Sequence, residues 1–182
     1  MSFMRFLGGH SAAGSPVPRP LPIETETEAV RSIVTRLESL PPDKARLLAG
    51  MAYVLARAAN ADMQISDVET QTIEKVLVES GLDESQAVLV AEMAKLQERT
   101  TGETSDYLVT REFRDASTAE QRSSLLEACF EVAAAEGGIS AMESATLDEI
   151  ASELDIERDE ATAVRARFAD KFTARLGYTP AE

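Results

Sequence analysis

The sequence predicts an all-α protein, a compact bundle of about seven to eight helices, and three observations carry that prediction. From Ile23 on, apolar residues recur three and four positions apart, as one buried face of a helix requires. No stretch alternates convincingly with the period of two that a half-buried strand would show. Helix start and stop signals stand in the gaps between the periodic runs. Composition agrees: Trp is absent and aromatic residues make up only 5%, the profile of a soluble helical protein. At 182 residues the chain has room for one domain with a sizeable core.

Residues 1–22 read as a flexible leader, because Gly8, Gly9, Gly14, Pro16, Pro18, Pro20 and Pro22 cannot pack a core. Residues 23–182 form the helical domain. The opening M-S-F-M-R-F-L-G-G falls short of the roughly 7–15 apolar residues of a secretory signal core. No stretch reaches the 18 or so apolar residues of a spanning helix. Phe3, Met4, Phe6 and Leu7, within residues 1–7, offer a membrane or partner contact, against the plainer reading of a frayed leader. A cytoplasmic protein is expected. Cys129 is the only cysteine and lies in an apolar helical run, so it reads as a core residue without a disulfide.

Helices are expected near 26–39 (Ile33, Leu37, Leu40), 43–60 (Leu48, Met51, Leu55), 67–80 (Ile73, Val76, Leu77) and 84–100 (Leu89, Met93, Leu96). Four more follow near 105–115, 118–135 (Leu126, Cys129, Phe130, Ala133), 141–154 (Leu147, Ile150, Leu154) and 158–176 (Val164, Phe168, Phe172). Ser66, Ser117 and Ser140 are each followed three residues later by Glu69, Glu120 and Glu143, the capping-box pattern. Asp83 with Gln86 is similar. Gly81 followed by Leu82 fits a left-handed helix stop with an apolar contact, and Gly177 before Pro180 closes the last helix.

The chain also repeats itself. Residues 61–69 read A-D-M-Q-I-S-D-V-E and residues 135–143 read A-E-G-G-I-S-A-M-E. Ile139 lies 74 residues after Ile65, and the same offset places Ala59, Ala61, Ser66, Glu69, Thr72, Glu79 and Ala87 on identical residues. Five of the eleven positions in 59–69 are identical, where average composition would supply about one. Each copy reads as a long helix, a short turn and a capped helix, so a bundle with an internal pseudo-two-fold duplication is expected.

A long Ala-rich helix ending in Ala-Asp/Glu-Gly, then Ile-Ser-x-x-Glu, twice about 70–80 residues apart in an acidic all-α chain, resembles the TerB-like family. That family takes in the tellurite-resistance TerB proteins and the N-terminal domain of the DjlA co-chaperone, and the resemblance covers roughly residues 43–176. It implies about seven helices, bacterial origin, a stress or tellurite-resistance system, and an acidic metal-binding cluster. Carried over position by position, the cluster is Asp62, Glu69, Glu136 and Glu143. The first copy departs from the pattern, with Met63 and Gln64 where the second has Gly137 and Gly138.

The residues themselves leave two readings open. Asp62 and Glu136 lie at or just past helix C-termini, where the macrodipole disfavours an anion by roughly 0.3–1 kcal/mol, and a bound cation would compensate. Carboxylates without His or Cys are hard oxygen donors that suit Ca²⁺ or Mg²⁺ better than Zn²⁺. The plainer reading makes Glu69 and Glu143 capping residues and Asp62 and Glu136 solvated turn residues. An EF-hand is excluded, since Val132 and Ala134 would stand where its first ligands belong.

Charge and residue inventory exclude other classes. A net charge of −14 opposes a nucleic-acid partner, which needs a basic face. His10 is the only histidine and sits in the leader, so no Ser-His-Asp or Cys-His arrangement exists, and no enzyme is expected. The expected function is a non-catalytic TerB-like module that binds a divalent cation through the acidic cluster and engages a protein partner. The alternative is a purely structural interaction domain, like the DjlA N-terminal domain, that binds no metal.

Overall fold

A computed structural model describes residues 40–100 and 103–172. Among these residues the chain forms seven α-helices: α1 (Pro42–Ala59), α2 (Asp67–Glu79), α3 (Glu84–Thr100), α4 (Glu103–Ala116), α5 (Ala119–Ala133), α6 (Ala141–Glu153) and α7 (Arg158–Arg167). Single 3₁₀ turns follow α1 (Asn60–Asp62) and α7 (Ala169–Lys171). No strand occurs among the described residues; the single β-bridge pairs Ile139 with Phe172 in parallel. The leader and the expected helix at 26–39 lie outside the described residues, as does the stop at Gly177.

α1 is the axis of the bundle and packs against α2, α3, α4, α5 and α6. The sequence explains why: Ala45, Leu48, Ala49, Ala52, Tyr53, Val54, Leu55, Ala56, Ala58 and Ala59 are buried all round the helix, the pattern of an element enclosed on every side. α5 is the second interior helix, burying Leu125, Leu126, Cys129, Phe130, Val132 and Ala133. It packs against α1, α2, α6 and α7. Ile73, Val76 and Leu77 from α2 and Leu147 and Ile150 from α6 close the core.

Three expectations are corrected. The face of α3 that meets the core carries Ala87, Val90, Ala91 and Ala94, not the expected Leu89, Met93 and Leu96, and Leu96 is 61% exposed. Small side chains let α3 lie close to the Ala-rich α1, and the larger ones are displaced to the flank. The capping box of α5 is Thr118 with Gln121, one residue later than Ser117 with Glu120. Ser117 instead finishes α4, its backbone N–H and hydroxyl both donating to the Arg114 carbonyl. The last helix ends at Arg167 rather than running to 176. Phe168 turns back to stack on Phe130 at 5.3 Å between ring centres, and Phe172 meets the same ring edge-on. Extended backbone at Phe172 and the Ile139 N–H bond to the Lys171 carbonyl at 2.7 Å make this return incompatible with more helix.

Candidate functional site

Each acidic turn is built by the same local sequence logic. After α1, Asn60–Asp62 forms a 3₁₀ turn and Met63 takes the left-handed conformation at φ 66°. The backbone then extends into Ser66, whose hydroxyl accepts from the Glu69 N–H while the Glu69 carboxylate accepts from the Ser66 N–H at 2.8 Å and from its hydroxyl at 3.0 Å. After α5, Gly137 is left-handed at φ 107°. Ser140 and Glu143 then close the second reciprocal box, with the Ser140 N–H 2.6 Å from Glu143 Oε2. Gly137 stands 74 residues after Met63, and both residues take positive φ.

Three of the four expected ligands share an electrostatic neighbourhood. Glu69, only 4% exposed, has its carboxyl raised above the ordinary glutamate value. Burial is the main cause, the bonds from Ser66 oppose it, and the negative charges of Glu136 and Glu143 add to it. Glu143 is likewise buried. Asp62 is exposed and turned onto its own loop, where its carboxylate accepts from the Gln64 N–H at 3.0 Å. Among the described residues no three His, Cys, Asp or Glu side chains converge closely enough to hold a metal ion. Glu69 and Glu143 each commit one oxygen to a cap, so as arranged the four carboxylates do not fit a three-ligand centre. Glu69, Glu136 and Glu143 also form no ion pair with any described Lys or Arg.

A second polar cluster, not singled out in the sequence, lies in the interior. Arg57 of α1 is only 8% exposed, and its guanidinium grips Glu153 of α6 through both terminal nitrogens, at 2.6 and 3.2 Å. It also donates to Glu149 and to the buried Thr110 of α4, both at 3.2 Å. Beside it the Tyr53 hydroxyl donates to Asp106 at 2.7 Å. The signal was present: Arg57 is the only charge in the run Met51–Ala59. A charge in a helix enclosed on all sides demands partners from other elements.

Other features are inert by comparison. The Cys129 thiol is pushed up to about 12 by burial and is no nucleophile at neutral pH. A groove of about 420 Å³ between α6 and α7 includes Arg165 and Asp148. Arg165 is already occupied by Asp148 at 2.9 Å, Ser144 at 2.7 Å and the face of Phe172 at 4.3 Å. No helix among the described residues is long and apolar enough to cross a membrane.

The family model for tellurite resistance protein TerB matches residues 48–166, which is more than half of the chain and includes both acidic turns and the Arg57 cluster. The chain belongs to the TerB family. The match begins inside α1 and ends one residue before the end of α7, so the TerB region coincides with the helical bundle described above. Neither a curated protein nor a solved structure matches the chain significantly. TerB membership ties the chain to tellurite resistance at the level of the family.

Proposed function

We propose that this chain is a non-catalytic TerB module of a bacterial, cytoplasmic stress or tellurite-resistance system, working through a protein partner that docks beside the two acidic turns. The observation that carries this reading is what surrounds the capping glutamates. Val68 and Met142 occupy the second position of α2 and α6, each next to a capping glutamate, and are 47% and 52% exposed; Met63 in the first turn is 83% exposed. Acidic turns flanked by uncovered apolar side chains suit a partner segment that combines basic and apolar residues. Cross-linking of the full chain in tellurite-challenged cells, with Val68→Asp plus Met142→Asp as comparison, tests it. Partner capture is lost while the melting temperature holds. Equal capture by both proteins sinks the proposal.

A second reading, a weakly held divalent cation, is favoured by one observation: the negative charges of Glu136 and Glu143 act on Glu69, and among the described residues no Lys or Arg pairs with any of the three. The test is a thermal melt of EDTA-stripped protein with Ca²⁺, Mg²⁺ or Zn²⁺ against NaCl of matched ionic strength. Glu69→Gln plus Glu143→Gln is run alongside, because glutamine still closes a capping box. A cation at about a hundred times its Kd adds roughly 2.7 kcal/mol. A shift that the matched NaCl reproduces, or that survives in the double variant, removes the cation from the function.

A further inference from the structure

Two buried side-chain atoms among the described residues lack a hydrogen-bond partner, Glu98 Oε2 and Arg122 Nε, and the first belongs to the interior polar cluster. Glu98 stands in the last turn of α3. Its carboxylate takes one hydrogen bond, from the side chain of Asn60, the residue that ends α1 and opens the first acidic turn. The Asn60 carbonyl in turn accepts from the Met63 N–H at 2.8 Å.

The donors that α1 and α4 bring to the cluster are committed elsewhere. From α1, the Arg57 guanidinium is taken by Glu153, Glu149 and Thr110, and the Tyr53 hydroxyl by Asp106. From α4, Asp106 brings negative charge and Thr110 spends its hydroxyl proton on the Asp106 carbonyl. α6 adds the carboxylates Glu149 and Glu153 around Arg57, and α3 itself brings the exposed Arg99, whose positive charge reaches Glu98. The cluster thus sets four carboxylates against one buried guanidinium. Burial raises the Glu98 carboxyl above the ordinary glutamate value; Asn60 opposes the rise, Asp106 reinforces it, and Arg99 and Arg57 offset part of it.

We propose that Glu98 is a proton-operated latch between α3 and the first acidic turn. Protonated, its partnerless oxygen carries no charge into the interior and the last turn of α3 rests on Asn60, even though the Asn60 bond by itself is stronger to the ionised carboxylate. Ionised, its buried oxygen has no donor, and the side chain pulls toward water, freeing the end of α3 and loosening the Asn60–Met63 turn. The latch does not depend on whether either acidic turn binds a partner or a cation.

The sign follows from linkage. A carboxyl held above its unfolded value contributes stability that is fully present below that value, 4.5, and is lost as pH rises through the folded value. Glu98→Gln keeps the shape and mimics the protonated state. With the full chain from about pH 4.5 to about pH 7.5, the melting temperature of Glu98→Gln climbs above wild type by a few degrees as pH rises. Over the same range, hydrogen exchange in 92–100, corrected for its intrinsic pH dependence, accelerates in wild type and not in Glu98→Gln. Parallel melting curves, or equal exchange in both proteins, overturn the latch. So does a carboxyl NMR titration that places Glu98 at or below the ordinary glutamate value, a measurement that needs no variant.

Discussion

An L-residue in the left-handed region presses its Cβ toward a carbonyl oxygen, at a cost of roughly 1–2 kcal/mol. Four described residues have clearly positive φ, and they fall into two pairs 74 apart: Met63 with Gly137, and Gly81 with Asp155. Each pair has glycine at one of its two positions only. Gly81 and Asp155 both end helices with the same two bonds: Leu82 and Ile156 N–H reach back to Leu77 and Ala151, while Gly81 and Asp155 N–H reach Val78 and Ser152. Met63→Gly and Asp155→Gly should therefore each stabilise the protein by roughly 0.5–1 kcal/mol, once the added freedom of the unfolded chain is deducted. Urea midpoints of the single variants check this. Arg57 gives the opposite sign. Arg57→Ala leaves the mostly buried Glu153 without its guanidinium and should cost about 3 kcal/mol or more, whereas Arg57→Met with Glu153→Leu should recover most of that loss. A double-mutant cycle in urea measures both.

At the scale of the helix, α2 and α6 are pinned by caps that the sequence spelled out, because S-x-x-E is a local pattern whose chemistry closes within one turn. Ser66→Ala and Ser140→Ala should each cost about 1 kcal/mol, readable as a loss in melting temperature. Glu69→Gln retains the reciprocal bond and removes a charge that burial and the neighbouring Glu136 and Glu143 make unfavourable. Since the folded Glu69 carboxyl lies above its ordinary 4.5, its contribution is full below that pH and fades above it. Glu69→Gln should gain on wild type as pH rises toward neutrality and lose that advantage near about pH 4. Where two patterns overlapped, locality did not decide. Both Ser117 with Glu120 and Thr118 with Gln121 satisfy the capping rule, and the choice fell to Thr118 because Ser117 was needed to finish α4. The end of α7 was unreadable for a related reason: Phe168 and Phe172 have helical spacing, and only Phe130, far away in sequence, turns them out of the helix.

At the scale of the whole molecule, the seven described helices follow from periodicity, whereas the central place of the Ala-rich α1 and the interior polar cluster do not. Tyr53, Arg57, Glu98, Asp106, Glu149 and Glu153 meet across four helices, and no sequence spacing encodes their convergence. Only the lone Arg57 in an apolar run hinted that partners had to exist. The acidic cluster was legible as residues but not as geometry, since a carboxylate closing its own cap and one facing an ion share the same letters. The charge balance gives a further test at this scale. With −14 on the full chain, self-repulsion opposes compaction, while the Arg57 to Glu153 pair is shielded from solvent and little screened. Raising NaCl from about 0.01 M to about 0.15 M shortens the Debye length from roughly 30 Å to roughly 8 Å. The melting temperature should rise by a few degrees if net repulsion dominates. A fall would mean that exposed pairs such as Arg46 with Glu112 and Arg111 with Asp115 outweigh it, and that the acidic surface is locally balanced rather than strained by its own charge.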